Sequence, residues 1–339
     1  MKKQNHILLS HGSGGRLSHE LIEKIFVHHF ANDFLRAQTD SATFETAEGQ
    51  MAFTTDSYVV DPIFFSGGNI GKLAVCGTVN DLAVSGAEPL YLSCGFIVEE
   101  GLPLADLEKI VESMAAEAVA AGVSIITGDT KVVNRGKCDK LFINTAGVGR
   151  LSADRRHIGY GNTIAPGDQI IVSGSMGDHG IAILAAREDL SFRSQAVSDC
   201  ASLNGLIATL LDRPADIRFM RDATRGGLAT VLCELAERHE TGIRINEEKI
   251  PVKELVKGAC EVFGFDPLYL ANEGKVVLVV AAEAASDVLQ KLRAHPLGAD
   301  AAIIGSVTTN HPGKVLMNTA VGGTRLLDML AGEMLPRIC

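Results

Sequence analysis

Residues Pro103 to Asp129 read PLADLEKIVESMAAEAVAAGVSIITGD. Pro103 stands where a first helical position would be, and Gly122 where a left-handed stop would be. Between them Leu104, Leu107, Val111, Met114 and Ala118 make one apolar stripe, so the spacing predicts a helix. Val123 to Ile126 then reads as a short apolar strand, with Thr127-Gly128-Asp129 as a polar loop at its end. Helix, strand and polar loop in succession point to an α/β (α+β) protein.

The same patterns recur outward from that stretch. A second helix is predicted over Leu228 to Arg238, with Leu228, Val231, Leu232 and Leu235 on one face. Helical spacing also covers Ser18–Phe30, Gly71–Ser85, Asp199–Leu211, Glu254–Phe263 and Glu283–Ala294. Strand-like runs are Ala52–Thr55, Leu90–Phe96, Leu141–Gly147, Gln169–Ser173, Val276–Val280 and Ala302–Val307. The 35 glycines and an aromatic content of 5% with no Trp suit many tight turns rather than a β-sandwich. The turn cluster Ile164-Ala165-Pro166-Gly167-Asp168 marks a boundary. The expected division is a Gly-rich loop and helix (1–40), a first domain (41–163), a second domain (164–327) and a mobile tail (328–339).

Acidic residues number 41 against 31 basic ones, a net charge of −10, which excludes a nucleic-acid binder. No apolar run approaches the roughly 18 residues of a membrane span. The stretch His6–Leu9 is too short for a signal-peptide core. The expectation is a soluble, cytoplasmic protein that contacts neither membrane nor nucleic acid. Seven cysteines lie at 76, 94, 138, 200, 233, 260 and 339 without a C-x-x-C pair, so a structural zinc site is not expected.

Four aspartates carry more information. Asp56 follows a strand, Asp81 lies in Asn80-Asp81-Leu82-Ala83, Asp129 closes the Thr127-Gly128 turn and Asp222 precedes a helix. Each alone reads as a cap or turn residue. Together, flanked by small residues, they suggest oxygen ligands for Mg²⁺ held jointly with phosphate. The loop His11-Gly12-Ser13-Gly14-Gly15-Arg16 offers backbone amides and Arg16 to a phosphate. By contrast, Gly67 to Leu73 lacks the spacing and the hydroxyl of a P-loop. Gly174 to Gly180 lacks the dinucleotide spacing and reads as a tight turn.

In order along the chain, His11–Gly15, Thr55-Asp56-Ser57, Asn80–Ala87, Thr127–Lys131, Asp222–Gly227 and Leu270–Lys275 resemble an ATP-using superfamily. It includes aminoimidazole ribonucleotide synthetase, selenophosphate synthetase and thiamine-phosphate kinase. The ending Pro336-Arg337-Ile338-Cys339 makes the chain similar to the HypE family of hydrogenase maturation proteins. That resemblance implies a two-domain fold like that of aminoimidazole ribonucleotide synthetase. Its N-terminal sheet forms a dimeric barrel with ATP near the interface, and its C-terminal sheet has helices on one side. It implies ATP and Mg²⁺ as cofactors. It also implies a homodimer, a HypF-like carbamoyltransferase partner and an iron-carrying HypC–HypD-like complex.

The implied reaction is ATP-dependent dehydration of an S-carboxamide on Cys339 to a thiocyanate, which supplies the cyanide ligand of [NiFe]-hydrogenases. Carried over by resemblance, His11, Gly12, Gly14, Gly15, Asn80, Gly128, Asp129, Thr130, Thr224 and Arg225 contact ATP. Asp56, Asp81, Asp129 and Asp222 hold metal. Cys339, Lys131 and Glu273 are the catalytic set. A buried Lys or Glu shifts its pKa toward neutrality and so serves acid–base work. Lys131 reads equally as a phosphate contact, and Glu273 as a structural carboxylate. Two other readings stand beside this one: another synthetase of the superfamily, and a non-catalytic nucleotide-binding scaffold. Selenophosphate synthetases carry a Cys or selenocysteine in the first glycine loop, and Ser10–Arg16 has none.

Overall fold

A computed structural model describes residues 6–12, 20–33, 49–187, 195–329 and 338–339. Its first half carries strand β1 (Gln50–Tyr58), helix α1 (Ile70–Val84), β2 (Glu88–Glu99), α2 (Leu104–Ala121), β3 (Ser124–Val133) and β4 (Leu141–Leu151). The strands form one sheet in the order β1-β4-β2-β3. Neighbours are antiparallel except β2 and β3, which are parallel and joined through α2.

The stripe predicted for α2 is the one that is buried, through Leu107, Val111, Met114 and Ala118, with Ile110 added. Pro103 flanks the helix rather than opening its first turn, and Gly122 closes it at φ 70°. Helix α1 packs against α2 and the sheet and is buried on every side. Its start is capped by Asn69, whose Oδ1 accepts from the amides of Gly71 and Lys72 at 2.9 and 3.1 Å. A Cβ at Gly71 would stand 2.5 Å from the Ile110 carbonyl oxygen, so glycine there sets the close crossing of α1 and α2.

The second half carries β5 (Gln169–Val172), α3 (Asp178–Ala186), α4 (Asn204–Ala208), β6 (Ile217–Asp222), α5 (Gly227–Arg238) and β7 (Gly242–Asn246). It continues with α6 (Glu254–Phe263), β8 (Val276–Val280), α7 (Ala285–Ala294), β9 (Ala302–Thr308), β10 (Val315–Asn318) and β11 (Thr324–Leu327). Seven strands form a sheet in the order β11-β10-β7-β9-β5-β8-β6. Ile170, Val172, Val277 and Val279 meet α5 through Leu228, Val231, Leu232 and Leu235. Ile171, Val276, Leu278 and Val280 meet α4 and α7 through Leu206, Ile207, Val288 and Leu292. Helices therefore cover both faces, not one. The reason is β8, which is apolar and buried at all five positions and needs cover on each side. Ala83 and Val84 of α1 belong to this second cluster, so the two halves share a core.

Three local expectations change. Thr127-Gly128-Asp129 is not a loop, because β3 runs on through it in register with β2. Gly128 makes that pairing possible: a Cβ there would lie 2.3 Å from the Cys94 carbonyl oxygen. The helix expected over Asp199–Leu211 shrinks to Asn204–Ala208, because Asp199 turns inward to hold another loop. Strands β6, β7, β10 and β11 have four to six residues and no clear alternation, and were not anticipated. Gly14, Gly15, Arg16 and Arg337 lie outside the described residues, as do residues 330–337 of the tail.

Candidate active site

Strand β1 points Asp56 and Tyr58 toward α1. Asp56 is paired in register with Thr145, whose hydroxyl meets Thr78 of α1 at 2.5 Å. The Tyr58 hydroxyl donates to Asp56 Oδ2 at 3.4 Å, and the Thr54 hydroxyl donates to Asp81 Oδ2 at 2.7 Å. Asp222 ends β6 and is 9% exposed. These carboxyls feel one another. Burial, then the charges of Asp222 and Asp56, push Asp81 up to about 7. Burial, with Asp56 adding, pushes Asp222 up to about 6. A crowded acidic trio of this kind is the donor chemistry of a hard divalent cation. No three His, Cys, Asp or Glu side chains among the described residues enclose an ion by themselves.

Asp129 does not join them. It is paired in register with Gly95, in the row of Asn144 and Ser57, on the sheet face turned away from α1. It also lies three strand spacings, roughly 14 Å, from β1. Lys131 lies on the same face, 65% exposed, with its Nζ 3.1 Å from the Asp129 carboxylate. Two residues expected at the centre of the site are therefore on an open surface of this chain. The cause is the extension of β3, which alternates side chains between faces where a loop would not.

Glu273 lies buried in the second half, next to Asn272. It is 3% exposed and its Oε1 has no hydrogen-bond partner. Burial, then Cys200, Asp199, Asp222 and Asp56, hold its carboxyl well above the usual range. Its main chain is fixed by Asp199, which accepts from the amides of Glu273 and Gly274 at 3.1 and 3.2 Å and from Lys275 Nζ at 3.1 Å. Burial opposes the Asp199 charge, but the Lys275 ammonium and the hydrogen bond from the Glu273 amide outweigh it and hold that carboxyl below its ordinary value. Asp199 was not singled out from sequence, and nothing in its neighbours signals the role.

Cys339 is partly buried and within electrostatic reach of Glu273. The amide of Val59, one residue past β1, donates to the Cys339 main-chain oxygen at 3.1 Å. Ile338 packs on the side chains below α3 and α6. Burial, then the charge of Glu273, push the thiol up to about 12, with Arg225 pulling the other way. The tip of the tail, expected to be mobile, is docked inward in this structure.

Asn80 has a different task from the ATP contact expected of it. It is 1% exposed, donates to the Ala201 and Glu273 carbonyls at 3.1 and 3.4 Å, and accepts from the Leu203 amide at 2.7 Å. It ties the first half to the second. His11 is 6% exposed and accepts at Nδ1 from the Leu8 amide at 2.9 Å, in the short turn that ends at Gly12. Thr224 and Arg225 follow Asp222 in the turn to α5, with Arg225 exposed. Gly128 and Thr130 lie in β3.

Residues 38–151 match the family described as AIR synthase related protein, N-terminal domain, and residues 165–318 match its C-terminal domain. Carbamoyl dehydratase HypE of Rhizobium leguminosarum bv. viciae is 54% identical over 332 residues, 98% of this chain and 94% of that protein. A crystal structure of the hydrogenase maturation protein HypE in complex with ATP superposes with a TM-score of 0.93 at 51% identity, covering 98% and 99% of the two chains. A HypE–HypF complex gives a TM-score of 0.79 at 48% identity, covering 91% and 99%. The chain belongs to the HypE family of AIR synthase related proteins.

Proposed function

We propose that the chain is an ATP-dependent carbamoyl dehydratase that converts an S-carboxamide on its own Cys339 into a thiocyanate for hydrogenase maturation. The observation that carries this reading is the inward docking of Cys339, held at its main-chain oxygen by the Val59 amide and within electrostatic reach of Glu273, a buried carboxyl with one oxygen left unpartnered. In balance, the carboxamide and ATP become thiocyanate, ADP and phosphate. ATP with Mg²⁺ turns the carboxamide oxygen into a phosphate leaving group. Asp56, Asp81 and Asp222 would hold Mg²⁺, which would offset the charge gathering on the transferred phosphoryl group. Glu273, entering the step as the carboxylate, takes the proton from nitrogen as the C–O bond breaks. A carboxyl that holds its proton so tightly is a strong base once ionised. Burial around Cys339 keeps water from the carbon.

A homodimer explains the two displaced residues. The sheet face carrying Asp129 and Lys131 also exposes Phe53 (71%), Ile97 (44%) and Met51 (40%). Edges β1 and β3 are unpaired by other strands among the described residues. Joining two such sheets edge to edge into a barrel buries the apolar face and places Asp129, Thr130 and Lys131 at an interface. His11, Gly12, Thr224 and Arg225 are the remaining nucleotide contacts in this reading, with Gly14 and Gly15. The division at about residue 164, a tail that swings out from 328, a HypF-like carbamoyl donor, a HypC–HypD-like acceptor and a cytoplasmic location belong to the same reading.

The test is mass spectrometry of the tail peptide after carbamoylation and addition of ATP. Loss of one water from the peptide carrying Cys339 is expected. ATP turnover without that mass change would overturn the reading.

A further inference from the structure

We propose that His179 is a positioning residue, whose ring N–H holds the Ile338 carbonyl and thereby seats the adjoining Cys339 in its docked place. The inference rests on the dehydratase reading above. His179 is fully buried as the second residue of α3, and its Nε2 lies 2.6 Å from the Ile338 carbonyl oxygen. A carbonyl only accepts, so Nε2 carries the hydrogen. The other ring nitrogen, Nδ1, lies 2.8 Å from the Ser198 hydroxyl, and that oxygen accepts from the Cys200 amide at 3.1 Å. The hydroxyl hydrogen is then free to go to Nδ1. Every partner is satisfied by one tautomer of a neutral imidazole. Phe65 meets the ring edge-on at 5.5 Å and 88°, which leaves it no freedom to turn.

The support beneath His179 is also the support beneath Glu273. Ser198 binds His179, and its neighbour Asp199 binds the Glu273 amide. Asn272 Oδ1 accepts from the Gly177 amide at 2.7 Å, just before α3. The Gly180 amide donates to the Ala271 carbonyl at 3.1 Å. The latch and the acid–base group therefore move as one body. With the Val59 amide on the Cys339 oxygen, the last two residues are gripped at main-chain atoms from opposite sides. Neither contact involves the thiol.

The experiment uses the full chain with His179→Ala and His179→Gln. The Gln amide can donate where Nε2 does. Two readouts are taken: peptide-resolved alkylation by iodoacetamide without nucleotide, and single-turnover dehydration of the carbamoylated protein. His179→Ala is expected to speed alkylation of Cys339 at least tenfold, leave Cys200 protected, and slow dehydration at least tenfold. His179→Gln is expected to restore both rates to within a few-fold of wild type. Unchanged Cys339 alkylation in His179→Ala overturns the proposal. So does a Gln variant in which Cys200 opens together with Cys339, because the role is then structural. If wild type accelerates no dehydration while the alkylation pattern holds, the dehydratase reading fails and the latch stands.

Discussion

Gly77 and Tyr58 share one volume: a Cβ on Gly77 would lie 2.2 Å from the Tyr58 hydroxyl oxygen. That phenol is buried, reaches Asp56 Oδ2, and is kept protonated by burial and by the Asp56 charge. The bare face of α1 at Gly77 thus sets where one carboxylate of the acidic trio stands. Gly77→Ala is expected to cost about 1–3 kcal/mol by overpacking. Denaturant unfolding measures it, and a midpoint equal to wild type would show that Tyr58 moves aside freely.

Glu273→Gln separates burial from chemistry. Burial, then the neighbouring charges, raise the native carboxyl well above the usual range, and the amide keeps its shape and polarity without a charge to desolvate. Stability within about 1 kcal/mol of wild type is expected for so conservative a change. Dehydration should fall at least a hundredfold, in the range lost with a general base. A tail peptide that still loses water at the wild-type rate would remove Glu273 from the reaction.

Asn80→Ala tests the task the structure gives that side chain. The Leu203 amide and the Ala201 carbonyl lose their partner, at about 1–3 kcal/mol. ATP affinity, measured by calorimetry on folded protein, is expected to hold within a few-fold. A selective loss of ATP binding at unchanged stability would return Asn80 to the nucleotide site.

The Asp199–Lys275 pair is nearly dry, with side-chain exposures of 3% and 11%. Removing one partner, as in Lys275→Met, leaves a buried charge and should cost about 3–5 kcal/mol. Asp199→Asn combined with Lys275→Met should recover part of that. Equal stability of the single and double variants, read by urea unfolding, would mean that the pair does not couple.

Docking of Cys339 should weaken in alkali. The docked thiol ionises at about 12, whereas a free thiol ionises near 8.5. The docked state keeps a proton that the undocked state gives up, so raising the pH between those values favours release, about tenfold per unit. Alkylation of a free tail peptide should level off above about pH 8.5. Cys339 in the protein should keep accelerating. A plateau at the same pH in both would show that the thiol is not buried in solution.

What the sequence disclosed depended on how local its cause was. The α2 stripe and the Gly122 stop lie within a few turns of chain, and both are where periodicity put them. Glu273 and Cys339 were legible as members of an ordered set of polar motifs, and the fold brings them together from 66 positions apart. Asp129 was misplaced because Thr-Gly-Asp reads as a turn, while Gly128 in fact lets two parallel strands close up. Asp199 and His179 were passed over because their partners, Lys275 and Ile338, are 76 and 159 positions away. No spacing rule reaches that far.

Helix α1 has no solvent face, and that limits how the gene can be rearranged. Its early turns are shaped to α2, its middle to β1 and β4, and its end to Leu203 and Leu206 of the other half. A chimera that kept one half and took the other from a distant relative would have to match three surfaces of a single helix at once. The join near residue 164 looks like a seam in sequence, yet it offers no free exchange of modules. Changes in α1 will be tolerated chiefly in company with changes on both sides of that join.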